Sequence, residues 1–186
     1  GTKLRLWLGC CSWGGWCYGD VTVAKGGEWQ QVTVKISDAH VDGGFDKTQA
    51  QFFKVTAPDG TGMKTGDDFY LAGLHLYYEK EVAQTEKVEL LRHTAESQKP
   101  YGADSVSAEL VDISADGLDV SRAAKLTVTG ETFTGDLFIY PEQKPEAGFA
   151  DVSQVMDTLA ISAWVKLPAG CDGTKLRLWL GCCSWG

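Results

Sequence analysis

The sequence predicts an all-β chain folded as an antiparallel β-sandwich, on three observations. Short segments alternate apolar and polar residues with a period of two. Gly- and Asp-rich breaks separate them at roughly regular intervals, and no long segment keeps a helical period. The first segment is "KLRLWLG" (3–9), with Leu4, Leu6 and Leu8 on one face and Lys3, Arg5 and Trp7 on the other. "VTVKIS" (32–37) turns Val32, Val34 and Ile36 inward. "AQFFKVT" (50–56), "LHLYYEK" (74–80), "AKLTVTG" (124–130) and "DLFIY" (136–140) continue the series. In "AISAWVKL" (160–167), Ile161, Ala163, Val165 and Leu167 oppose Ser162, Trp164 and Lys166. The breaks "AKGGEW", "HVDGGFD" and "PDGTGMKTGDD" carry turn residues. One short helical turn is expected around Asp151–Met156.

The fourteen residues "GTKLRLWLGCCSWG" stand at 1–14 and again, unchanged, at 173–186. A match that includes two Trp and two Cys is not drift. It fits a window cut from a tandem array with a period of 172 residues, a permuted chain with a duplicated end, or a protein with a donor strand at one terminus. All three give a structural unit of about 172 residues, large enough for one stable domain.

Removing Lys175 and Arg177 of the second copy leaves 15 basic and 25 acidic residues in one unit, a net charge of −10. That balance argues against nucleic acid and anionic lipid as partners, since both need concentrated Lys and Arg. No run of 18 apolar residues is present to span a membrane. The chain reads straight into a strand, so a secretion signal is expected only outside this stretch. Asparagine is absent, which removes any N-glycosylation acceptor and leaves the turns to Gly and Asp.

Cys171, the pair Cys182–Cys183 (repeating Cys10–Cys11) and Cys17 give the pattern C-x10-C-C-x5-C per unit. Zinc normally takes closer C-x2–4-C spacing, and no histidine lies nearby. Two disulfides are therefore expected, with Cys171 bonded to one member of the pair and Cys17 to the other, because neighbouring cysteines rarely bond each other. Disulfides imply an oxidising, extracellular or cell-surface setting. Each copy of the repeated segment lacks one partner. Either a thiol stays unbonded or the ends complete each other between molecules.

The strand order "VSRAAKLTVTGETFTGDLFIYPE", "DTLAISAWVKLPAG", "KLRLWLG", "GGEWQQVTVKIS", "AQFFKVT", "FYLAGLHLYYEKE" resembles the jelly-roll carbohydrate-binding modules grouped around types 4, 9 and 22. Ser162, Trp164 and Lys166, then Trp29, Gln30 and Val32, carry the resemblance. It implies an antiparallel jelly roll that begins after about Glu86 and ends at Phe69–Glu81. On that frame residues 1–80 are the C-terminal half of one sandwich repeat, 81–86 a short join, and 87–186 the N-terminal half of the next. Two departures stand out: the last strand lacks the family's paired Asp, and the "GCCSWGGWCYGD" loop is not a general family feature. No cofactor is expected. The best calcium candidates, Asp67–Asp68, Asp116 and Asp119, read more simply as turn residues.

Trp13, Trp16 and Tyr18 are expected in a Gly-rich loop, with Trp7, Trp164 and Tyr77 on the polar faces of strands and Trp29 nearer the core. Exposed aromatic patches mark interaction sites. The resemblance implies sugar as their ligand; the alternative is packing over disulfides or between subunits. His40, His75 and His93 are scattered and suggest no catalytic arrangement, so no enzyme is expected. The leading reading is an extracellular structural repeat unit building a fibre, stalk or adhesin shaft from copies of itself by tandem linkage, strand exchange and disulfides. The alternative is a carbohydrate-binding module stacking glycan rings on Trp7, Trp13, Trp16, Tyr18 and Trp164.

Overall fold

The computed structural model describes residues 15–80, 86–93, 106–130 and 137–182. The strands among them are β1 (Trp16–Val23), β2 (Gln30–Lys35), β3 (His40–Val41), β4 (Ala50–Thr56), β5 (Asp68–Lys80), β6 (Glu86–His93), β7 (Val106–Asp112), β8 (Arg122–Val128), β9 (Leu137–Ile139), β10 (Leu159–Lys166) and β11 (Thr174–Cys182). They form two sheets in which every pairing is antiparallel. One runs β3-β1-β11-β4-β9. The other runs β2-β10-β5-β8-β7. Strand β6 joins the second sheet by pairing with Leu74–Lys80 of β5, beyond the stretch Asp68–Leu71 that pairs with β8.

The chain is an all-β sandwich. Period-two alternation places one face of each sheet against the other. Val32, Val34, Phe53, Val55, Leu74, Leu76, Leu126, Ile161, Ala163, Val165, Leu176, Leu178 and Leu180 fill the single main core between them. Where β1 crosses β2, Gly19 leaves room for Val34: a Cβ built on Gly19 would lie 2.4 Å from Val34 Cγ1. The sheets therefore approach more closely there than two side chains allow.

The expected positions of several elements need correction. Trp16 and Tyr18 belong to a regular eight-residue strand, not to a loop, because β11 supplies a full ladder of partners from Thr174 to Gly181. The helical turn falls at Met156–Thr158, as one 3-10 turn, and two further 3-10 turns lie at Ile36–Asp38 and Ser114–Asp116. Strands β3, β6 and β7 add to those expected. In β6 the alternation is hidden by a register shift opposite Leu76 and Tyr77. Residues 15–80 and 86–182 both contribute strands to both sheets, with β10 between β2 and β5 and β11 between β1 and β4. The stretch read as a join lies between Lys80 and Glu86, which are themselves paired. Within this chain, then, the two halves complete one another.

Candidate functional site

The second copy of the repeated segment is built into the interior of a sheet. Strand β11 pairs with β1 on one side, from Trp16–Gly181 to Val23–Thr174, and with β4 on the other, from Arg177–Thr56 to Cys182–Ala50. Leu176, Leu178, Leu180 and Cys182 point into the core, and Leu178 and Leu180 are 0% exposed. Lys175, Arg177 and Trp179 alternate onto the outer face. Gly181 is required by the packing, since a Cβ there would lie 2.7 Å from Phe52 Cζ and 2.9 Å from the Trp16 ring. The C-terminal end of the strand meets the start of β1: the Cys182 thiol donates to Gly15 O (3.4 Å) and accepts from Asp46 N–H (3.1 Å). In the sequence Cys10, which repeats Cys182, stands five positions before Gly15.

On the outer face of this sheet β1, β11 and β4 bring together Trp16, Tyr18, Phe52, Lys54, Arg177 and Trp179. Tyr18 lies opposite Trp179 in the ladder, with ring centroids 4.2 Å apart. Trp16 packs edge-to-face on Trp179 (5.6 Å, 81°) and on Phe52 (5.1 Å, 87°). The cations sit over the rings: Lys54 Nζ is 3.9 Å from the Trp179 centroid, and the Arg177 guanidinium is 4.5 Å from that of Tyr18. Arg177 also grips Asp20 with both arms, Nε to Oδ1 at 2.5 Å and Nη2 to Oδ2 at 2.9 Å. That pair holds the Asp20 carboxyl below the ordinary carboxylate range. The Trp179 indole N–H donates to Thr56 Oγ1 at 3.1 Å.

Trp16 and Tyr18 both pack on Trp179, which repeats Trp7 of the first copy. Trp7 and Trp13 lie outside the described residues. Sequence reasoning missed Lys54, Phe52 and the partnering of Arg177, because their approach depends on β4 and β1 flanking β11. A pyranose stacks on an open ring face. Here edge-on neighbours and cations crowd those faces, so the cluster reads first as cross-strand packing.

Trp164 stands apart, on the outer face of the other sheet. The segment 112–121 packs over it, and its indole N–H donates to Asp119 Oδ1 at 2.8 Å. Trp29 is held in the same way, donating to Asp116 Oδ2 at 2.7 Å. Beside them Trp29, Tyr70, Val111, Ile113, Lys125 and Lys166 border a cleft of about 250 Å³. The expected glycan residues are therefore divided between opposite faces of the sandwich. Tyr77 is buried.

The expected disulfides are not formed among the described cysteines: no bond joins any two of Cys17, Cys171 and Cys182. The reason is their placement. Cys171 precedes the turn that starts β11, and Cys182 ends it, so the length of the extended nine-residue strand, roughly 26 Å, separates Thr174 from Cys182. A disulfide needs Cα atoms within about 7 Å. Cys17 lies opposite Leu180, diagonal to Cys182 and on the same inward face. Burial, and then the neighbouring Cys182, push the Cys17 thiol up to about 12, which makes it inert. Cys10, Cys11 and Cys183 lie outside the described residues.

The calcium candidates serve the local structure. Asp116 and Asp119 accept the two indole N–H groups, Asp67 accepts Lys64 N–H at 2.8 Å, and Asp68 accepts from Thr127 at 2.6 Å. Among the described residues no three His, Cys, Asp or Glu side chains are grouped to hold a metal ion. No helix among them is long and apolar enough to cross a membrane. His75 is half-buried and donates Nδ1–H to Gly73 O at 2.8 Å; burial holds its pKa below the ordinary histidine value. Comparison with family models, with curated proteins and with solved structures finds no match for this chain.

Proposed function

We propose that this chain is a structural repeat unit of an extracellular fibre, stalk or adhesin shaft, assembled from copies of itself. The observation that carries the reading is the meeting of Cys182 with Gly15. Strand β11 enters the sheet from β10 at one end and finishes against the start of β1 at the other. In the sequence the first copy of the segment runs on through Gly14 to Gly15 and β1. A longer chain repeating at 172 residues would run β10, β11 and β1 without interruption, each unit handing its strand on to the next.

The strand cannot be omitted from such a unit. Burying Leu176, Leu178 and Leu180 contributes roughly 5–9 kcal/mol at about 1.5–3 kcal/mol per side chain, comparable to the whole stability of an ordinary domain. Tandem linkage and strand exchange are the means by which every unit would be supplied. Any cross-links between units fall to Cys10, Cys11 and Cys183, since Cys17, Cys171 and Cys182 are buried where they stand.

Sedimentation and negative-stain electron microscopy over a range of concentrations test this reading. Concentration-dependent oligomers or filaments are expected, with a non-reducing ladder that shortens when Cys10, Cys11 and Cys183 are changed to Ser. A chain that stays monomeric at every concentration would refute it.

The second reading, a carbohydrate-binding module, draws on the resemblance in strand order and on the outward Trp16, Tyr18 and Trp179. Glycan-array binding that is lost in Tyr18→Ala would favour it over the structural role.

A further inference from the structure

The cleft of about 250 Å³ lies on the outer face of the sheet β2-β10-β5-β8-β7, and strand register builds it. Lys166 of β10 stands opposite Tyr70 of β5, and Tyr70 opposite Lys125 of β8, so the three side chains share one face. Trp29, just before β2, sets its ring centroid 6.0 Å from that of Tyr70 at 59°, which makes an aromatic corner. Asp112, Ile113 and Asp116, around and beyond the end of β7, complete the lining.

Among the described residues, every charged group of the lining but one has a polar partner. Lys125 Nζ is 3.1 Å from the carboxylates of both Asp68 and Glu109. Asp112 accepts the Ser114 N–H at 2.8 Å, and Asp116 accepts the Trp29 indole N–H at 2.7 Å. Lys166 is the exception. Its half-buried ammonium lies 5.9 Å from the Trp29 centroid and 5.8 Å from that of Tyr70, with no described carboxylate at ion-pair distance. That cation borders the two rings without covering them, whereas Lys54 Nζ comes to 3.9 Å from the Trp179 centroid.

A ligand matched to this lining has three features. A carboxylate pairs with Lys166 through a charge-assisted bond, which partial burial strengthens. A flat apolar face lies in the corner of Trp29 and Tyr70. Hydroxyl groups donate to Asp112 and Asp116, since a carboxylate accepts several hydrogen bonds. The two acids also set polarity: they repel an anion, so the ligand's carboxylate turns towards Lys166. The volume is below the roughly 300–1,000 Å³ of ordinary ligand sites, which limits the occupant to about one ring. The Asp116 bond fixes the Trp29 indole before anything binds, which lowers the cost of ordering the site.

We infer that this cleft binds a small hydroxylated ring bearing one carboxylate. A sugar acid and a hydroxylated aromatic acid share that chemistry. The inference rests on the cleft alone, and it stands whether or not the chain forms fibres or Tyr18 binds a glycan.

Calorimetric titration of the full chain with sodium glucuronate and with para-hydroxybenzoate tests it, beside glucose and para-hydroxybenzamide as uncharged counterparts. Saturable binding of at least one acid is expected, about ten- to hundredfold tighter than that of its counterpart. Whichever acid binds identifies the source of the ligand. The ring signals of Trp29 and Tyr70 should shift in NMR spectra during the same titration. Lys166→Gln should weaken binding by a similar factor, and Lys166→Arg should keep most of it. Should Lys166→Gln fail to fold, the comparison of each acid with its counterpart on the parent chain still decides. No binding of either acid at millimolar concentration, equal binding of acid and counterpart, or binding unchanged in Lys166→Gln would overturn the inference.

Discussion

Tyr18 and Trp179 face each other across the β1–β11 ladder with ring centroids 4.2 Å apart, and the Arg177 guanidinium lies over the Tyr18 ring. One member of this pair belongs to the repeated segment and the other does not. Tyr18 is therefore the informative residue to change, because it lies outside the repeated segment. Tyr18→Ala removes a half-buried ring, its packing on Trp179 and a cation–π contact. A loss of about 1–3 kcal/mol is expected in chemical denaturation. A change below about 0.5 kcal/mol would mean that the aromatic cluster does not support the sheet.

Gly19 and Val34 set the spacing of the sheets. Gly19→Ala brings a methyl group to 2.4 Å from Val34 Cγ1 and should cost about 1–3 kcal/mol through overpacking. Adding Val34→Ala should recover much of that loss, because the new methyl then occupies the vacated volume. A double variant no more stable than Gly19→Ala would show that this approach does not limit the packing.

The Cys17 thiol, raised to about 12 by burial and by Cys182, should resist alkylation in the native protein at about pH 8. Mass spectrometry after brief iodoacetamide treatment should find Cys17 modified only once denaturant unfolds the chain. Modification under native conditions at the rate of an exposed thiol would contradict its position in the core.

Asp20 and His75 both contribute to the response to acid. Arg177 holds the Asp20 carboxyl below its unfolded value of 3.8, so its contribution is present above that pH and is lost as pH falls through the lower folded value. The pair is partly exposed, and Asp20→Asn should cost only about 0.2–1 kcal/mol near neutrality, with the variant and the parent converging once the pH falls below the lowered value of the folded carboxyl. Burial depresses His75 below its unfolded 6.5, so the unfolded chain binds the extra proton first and stability falls as pH drops below about 6.5. An NMR titration should place His75 below 6.5. A midpoint above that value would reverse the sign of its contribution.

Much of the architecture was legible along the chain. Alternation in "AQFFKVT" marks β4 at Ala50–Thr56, and "KLRLWLG" shows which side chains point inward, as Leu176, Leu178 and Leu180 do in β11. Strand β7 carried a usable signal in Val106, Ala108 and Leu110, but its small residues made the alternation weak. Tyr18 and Trp16 were recognisable as members of an aromatic group. Their strand conformation was not, because the Gly-rich surroundings signal a loop until a partner strand is known.

The sequence by itself determined the all-β class, the inward face of each principal strand and the repetition of one strand at both ends. These are properties of short segments, in which side-chain period and turn residues act locally. Only the tertiary structure decided that the repeated strand lies inside a sheet, that Cys171 and Cys182 end up at opposite ends of it, and that Lys54 and Arg177 cover the aromatic rings. Those facts depend on which strands become neighbours. That choice is made by hydrogen-bond pairing and core packing between residues more than about 100 positions apart, and no local pattern records it.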